Sequence, residues 1–191
     1  MKVVAFNGSP RQNGNTAAMI KEALAVLEME GIETEFIQLG GNLLRGCQAC
    51  GVCRKKQDMR CAFDDDKMNT FIEKIREADG IIIGSPTYFA DLSTETKALI
   101  DRCGYVSRSN GNFLSRKIGA AVCAVRRTGA MHVLDSINHF FLISDMVVPG
   151  STYWNMTLSL QPGDFQKDQE GVSTIKRMAE NMAWLLKRTR E

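Results

Sequence analysis

The stretch KVVAFNGSPRQNGNT, residues 2–16, decides the fold. Val3 to Phe6 is an unbroken apolar run, the pattern of a strand covered on both faces. Small and polar residues follow from Gly8 to Thr16, and Met19, Ile20, Ala23, Leu24 and Leu27 then form one helical stripe that stops before Gly31, a suitable C-terminal cap. A loop leading from a strand's carboxyl end into a helix aims unpaired backbone N–H groups and the positive helix end at an anion. Ser9, Asn15 and Thr16 can add hydroxyl and amide donors, and Gly8 and Gly14 let the backbone approach closely. Neither the dinucleotide fingerprint G-x-G-x-x-G nor the lysine-bearing loop G-x-x-x-x-G-K-[ST] is present, so a terminal monophosphate is the expected ligand. The plainer alternative is a turn with a helix cap.

Outward from this unit, β-branched runs alternate with helix-period segments, which predicts a doubly wound α/β fold around a parallel sheet. Five strands are expected, at Lys2–Phe6, Glu33–Leu39, Gly80–Gly84, Lys117–Val125 and Met146–Val148. Helical stripes follow at Met68, Phe71, Ile72 and Ile75, behind Asp64-Asp65-Asp66 whose carboxylates can cap the helix start, and at Leu99, Ile100 and Cys103. Two more use Leu134, Ile137 and Phe141, then Ile175, Met178, Met182 and Leu185. The length of 191 residues suits one domain over residues 1–191. A loop spanning residues 40–62 exceeds the usual connection length and carries four cysteines.

Composition narrows the partners. The net charge of +2, from 24 basic and 22 acidic residues, is too balanced for polyanion binding, so no nucleic acid is expected. The apolar runs fall short of the roughly 20 residues that span a bilayer, so no membrane segment is expected. The beginning lacks a sustained apolar region of the signal-peptide kind, which makes cytoplasmic residence the expectation.

The third strand ends in Gly84-Ser85-Pro86-Thr87-Tyr88-Phe89, at a carboxyl end where open α/β sheets bind ligands. Backbone N–H groups there can reach ring heteroatoms, and Tyr88 or Phe89 offers an aromatic face, unless both belong to the core. GSPRQNGNT, SPTYFADLSTETKALIDR and AVRRTG resemble the NAD(P)H-dependent FMN reductase group of flavodoxin-like proteins over nearly the whole chain. The resemblance implies a flavodoxin-like doubly wound five-stranded parallel sheet with helices on both faces, and FMN as cofactor. It assigns Ser9, Arg11, Asn13, Asn15 and Thr16 to the ribityl phosphate. Pro86, Thr87, Tyr88 and Phe89 would line the flavin ring, and Arg126, Thr128 and Gly129 would complete that site. It further implies NAD(P)H as a possible donor and a homodimer or homotetramer. Ser151 to Asn155 would either contribute to a ring pocket or cap the core.

Cys47-x2-Cys50-x2-Cys53-x7-Cys61 places four thiols within reach of one centre. The successive x2 intervals are similar to the bacterial ferredoxin run, whereas structural zinc usually draws two separated pairs; free or redox-active thiols are the remaining alternative. Together with the flavin motifs, GCQACGVCRKKQDMRCAFDDD resembles the iron-sulfur flavoprotein family, which implies a [4Fe–4S] cluster on Cys47, Cys50, Cys53 and Cys61. Arg54, Lys55, Lys56 and Arg60 would then stabilise its negative charge, or form an ordinary solvated loop. Cys103 and Cys123 read as core residues.

The resulting expectation is an FMN-binding electron-transfer oxidoreductase coupling FMN to a [4Fe–4S] cluster, with small-molecule or protein donor and acceptor. No catalytic acid or base is required, and His132 and His139 read as helix-surface residues. The alternatives are an NAD(P)H-dependent FMN or quinone reductase without a cluster, and a redox-sensing flavin- or metal-binding module without turnover.

Overall fold

The computed structural model describes residues 1–189. Five strands, β1 (Lys2–Asn7), β2 (Glu33–Gln38), β3 (Gly80–Pro86), β4 (Ile118–Val125) and β5 (Met156–Leu158), form one parallel sheet in the order β2-β1-β3-β4-β5. This is the flavodoxin-like order, and the chain reverses its direction across the sheet between β1 and β3.

Helices cover both faces, as the continuous apolar strands require. On one face lie α1 (Asn15–Met29) and α6 (Gln169–Arg188), whose Met19, Ile20, Leu27, Ile175, Met178 and Met182 pack on Val3, Ala5 and Ile82. On the other lie α3 (Met68–Glu77), α4 (Thr94–Ser109) and α5 (Ala130–Ile143), which pack on Val4, Phe6, Ile81 and Ile83. Alternate residues of β3 therefore enter opposite cores, as the period of a strand dictates. Gly31, at φ +75°, ends the α1 region in the left-handed conformation expected of it.

The expected helical stripes all lie on helices, and four strand positions agree to within one or two residues. The fifth strand differs. Met146–Val148 is not the strand: Val147 makes only an isolated parallel bridge to Ile118, and β5 proper begins at Met156. Pro149-Gly150 is the physical reason. Proline has no N–H to continue the ladder, so the chain leaves the edge and returns where the Asn155 carbonyl accepts from Cys123 N–H at 2.9 Å. A short helix inside the cysteine loop, α2 (Val52–Lys56), also carries no apolar stripe by which the sequence could announce it.

No helix among the described residues is long and apolar enough to cross a membrane. Ile82 is fully buried whereas Val147 is 39% exposed, so the two test where the sheet carries its load. Ile82→Ala should cost about 2–5 kcal/mol in urea unfolding, and Val147→Ala no more than about 0.5 kcal/mol.

Candidate functional site

At the β1/β3 reversal, backbone passes against backbone. Gly8 N–H donates to the Gly84 carbonyl at 2.7 Å, joining the loop after β1 to the end of β3. A Cβ on Gly8 would stand 2.1 Å from Thr96 Oγ1 and 2.9 Å from that carbonyl, and one on Gly40 would stand 2.4 Å from the Ser9 backbone. Only glycine allows three chain segments to meet so closely.

Two amides fix the loop's shape. Asn7 Nδ2 donates to Gln38 Oε1 at 2.7 Å and, at 3.4 Å, to the Ser9 and Arg11 carbonyls, while Asn7 Oδ1 accepts from Ser9 N–H at 3.2 Å. Gln38 Nε2 donates to the carbonyls of Ser9 and Gly40, both at 2.7 Å. With its carbonyl turned into this network, Ser9 is locked, and its Oγ accepts from Arg11 N–H at 3.2 Å. Gly14 caps α1 without a side-chain bond, leaving first-turn N–H groups with no intrahelical partner.

The result is an open cleft of about 260 Å³. Ser9, Arg11, Asn15 and Thr16 line it from the first loop, Pro86, Thr87 and Tyr88 from the third strand's end, and Arg126 from the loop after β4. Four residues assigned by resemblance stand outside this lining. Asn13 lines a neighbouring depression with Lys21, Phe89 is 97% exposed, Thr128 is exposed, and Gly129 lies behind Thr87, whose Cγ2 would be 3.1 Å from a Cβ there. Tyr88 is 64% exposed and so is a cleft wall rather than a core residue. Asn15 lines the cleft but is engaged elsewhere: its Nδ2 donates to the Gln161 carbonyl at 2.8 Å and its Oδ1 accepts from Phe165 N–H at 3.2 Å.

The sequence reading missed Ser159 and Leu160, which complete the cleft wall. They follow the true β5 at the same carboxyl end as the other loops, so a correctly placed fifth strand would have found them. Ser159 Oγ is buried without a hydrogen-bond partner among the described residues, on a residue that belongs to the cleft lining. Ser151 to Asn155 instead border a different cleft with Asn138, and His132 and His139 are exposed on α5.

The second site is the cysteine loop. Cys47, Cys50, Cys53 and Cys61, all free thiols, line one chamber of about 350 Å³ against Arg102, Tyr105, Val106 and Ser109 of α4. Left-handed backbone at Ala49, Gly51, Gln57 and Met59 coils the loop around this space. Asn69 of α3 ties its far side, accepting from Cys61 N–H at 2.8 Å and donating to the Cys61 carbonyl at 3.0 Å and the Phe63 carbonyl at 3.2 Å. Among the described residues no three His, Cys, Asp or Glu side chains converge closely enough for a single metal ion, so the thiols frame a chamber rather than a mononuclear site. Arg54 and Lys55 border the chamber, whereas Arg60 pairs with Asp64 at 3.0 Å on the surface.

Arg102, on the chamber wall, belongs to a buried ion pair that the sequence reading did not identify. Arg102 bonds Asp66, and its Nε donates to Cys61 Sγ at 3.3 Å. Burial opposes both charges, yet the bonds outweigh it: Asp66 and Cys61 raise the Arg102 pKa, while Arg102 and the N–H groups of Met68 and Arg45 lower that of Asp66. Asp66 thereby serves the helix start as expected, accepting from Met68 N–H at 3.0 Å, and the loop as well. The other two cysteines belong to the core. Burial pushes the Cys103 thiol up to about 12 and the Cys123 thiol to about 11, so both stay protonated at neutral pH.

Gln38→Leu would remove the shortest bond of the Asn7 amide and the 2.7 Å donor to the Ser9 and Gly40 carbonyls. It should lower unfolding stability by about 1–3 kcal/mol in urea titration.

A family model described as NADPH-dependent FMN reductase matches residues 1–161. An iron-sulfur flavoprotein of Methanocaldococcus jannaschii is 38% identical over 194 residues, covering 98% of each chain. An iron-sulfur flavoprotein of Methanosarcina thermophila is 34% identical over 188 residues, covering 97% of this chain and 95% of its own. Among solved structures, a flavodoxin from the domain Archaea superposes with a TM-score of 0.64 at 18% identity, over 98% of this chain and 99% of that one. With the five-strand order, the cleft at the reversal point and these similarities together, the chain belongs to the NADPH-dependent FMN reductase family, alongside relatives named iron-sulfur flavoproteins.

Proposed function

We propose that this flavoprotein holds FMN in the β1/β3 cleft and one [4Fe–4S] cluster in the cysteine chamber, and passes electrons between a donor and an acceptor. The observation that carries the reading is that all four loop cysteines line one chamber, in a chain whose reversal-point cleft is lined by the first loop and by the end of the third strand. FMN exchanges one or two electrons and an iron–sulfur cluster one at a time, which makes the pair a converter.

The chain's own residues supply position and charge. Ser9, Thr16 and the first-turn N–H groups of α1 would bond the terminal phosphate, with Arg11 and Arg126 on the same wall adding positive charge. Pro86, Thr87 and Tyr88 would flank the ring, with Ser159 in the same lining. Asn15 would act as a brace for the Gln161–Phe165 turn, and Asn13, Phe89, Thr128 and Gly129, outside the cleft lining, would have no direct contact with the phosphate or ring walls. Cys47, Cys50, Cys53 and Cys61 would ligate the cluster through their thiolates. NAD(P)H is the proposed small-molecule donor, a protein carrier the alternative one, and the working unit a cytoplasmic homodimer or homotetramer.

The second reading is an NAD(P)H-dependent FMN or quinone reductase without a cluster, in which the four loop cysteines stay free thiols. Anaerobic purification separates the two. The proposed function requires iron and sulfide in stoichiometric amounts and a paramagnetic signal on reduction; a clean flavin spectrum after cluster reconstitution overturns it.

Serine at any of Cys47, Cys50, Cys53 or Cys61 should reduce iron content while FMN stays bound, because the two sites use separate residues. The double variant Ser9→Ala, Thr16→Ala should do the reverse and weaken FMN at least tenfold in titration, with the cluster retained. Tyr88→Leu should alter the flavin absorbance or fluorescence with little effect on stability, since its side chain stands at the open wall.

A further inference from the structure

We propose that Arg102 is the positioning residue of the cysteine chamber: one buried guanidinium clasps both ends of the loop and, through its bond to Cys61 Sγ, raises the reduction potential of the cluster held there. The inference rests on the cluster reading given above.

Arg102 is 1% exposed on α4, and its fork is spent on the loop. Nη1 donates to the Arg45 carbonyl at 3.2 Å and to Asp66, Nη2 donates to the Phe63 carbonyl at 3.0 Å, and Nε donates to Cys61 Sγ at 3.3 Å. Arg45 precedes the first cysteine and Phe63 follows the last, so a single planar group closes the ring of chain that carries all four thiols. Lysine, a point charge on a flexible stem, could not span these acceptors. The buried charge is balanced by Asp66 and by carbonyl dipoles, which is what lets a cation remain inside.

The same geometry acts on electrons. Reduction adds one negative charge to a cluster, and a hydrogen-bond donor with positive charge at a ligand sulfur stabilises the reduced form more than the oxidised one. Low dielectric strengthens that preference, and the Asp66 carboxylate beside the guanidinium weakens it. The two side chains should therefore move the potential in opposite directions, whereas a purely structural clasp would be loosened by losing either.

The test compares wild type, Arg102→Met and Asp66→Asn as full chains reconstituted with iron and sulfide. Cluster potentials are read by paramagnetic resonance during redox titration, with FMN titration as the check on folding. Arg102→Met should lower the midpoint by about 59 mV, a tenfold change in the ratio of reduced to oxidised cluster. Asp66→Asn, which keeps an oxygen for Met68 N–H, should raise it. If Arg102→Met does not fold, the upward shift in Asp66→Asn decides the matter. An unchanged or lowered midpoint in Asp66→Asn, or a wild-type midpoint in Arg102→Met, overturns the inference and leaves the cluster reading standing. Wild-type protein that takes up no iron overturns both.

Discussion

The architecture depends on one close approach, Gly8 against Gly84, where the loop after β1 meets the end of β3 through bare backbone. The helix following β1 covers one face of the sheet and the helix following β3 covers the other, so their connecting loops diverge and leave a crevice between them. Any side chain at Gly8 would force the loops apart. Because the backbone there is fixed by glycine and by the Asn7–Gln38 amide pair, the loop after β1 is held in shape by the protein itself, with little left to order on binding.

Helix α4 links that crevice to the cysteine chamber. Its Ser93 cap donates through Oγ to the Gly8 carbonyl at 2.8 Å, while Arg102, Tyr105 and Ser109 further along form the chamber wall. One rigid element thus sets the spacing of the two sites, at about 1.5 Å per residue of helix. The loop itself has little apolar packing. It is held by directional bonds from Asn69 and Arg102, and their polar atoms are buried and satisfied, which gives a defined shape at the expense of desolvating a charge.

Legibility in the sequence followed the length scale of the signal. Strands buried on both faces and amphipathic helices announce themselves over several consecutive residues, so β1, β3, β4 and the packing helices were readable directly. The loop after β1 and the cysteine run were readable as segments because their residues are contiguous. The fifth strand was not: Met146–Val148 has the apolar character of a strand, but Pro149 denies it a ladder, and the three residues that do pair are too few to show a period. Missing it hid Ser159.

The sequence by itself determined the alternation that makes a parallel sheet, the place of the polar turn between β1 and α1 and the fact that four thiols share one loop, since each is a local property of neighbouring residues. Only the tertiary structure decided which side chains line the cleft and the chamber and which are bonded elsewhere. Asn15 looked like a phosphate donor and is occupied by Gln161 and Phe165, 146 and 150 residues away. Arg102, which no local motif marks, bonds both ends of the cysteine loop through partners 36 to 57 residues distant. Hydrogen bonds of that range depend on how helices dock on the sheet, and no pattern of adjacent residues records where a guanidinium will find its acceptors.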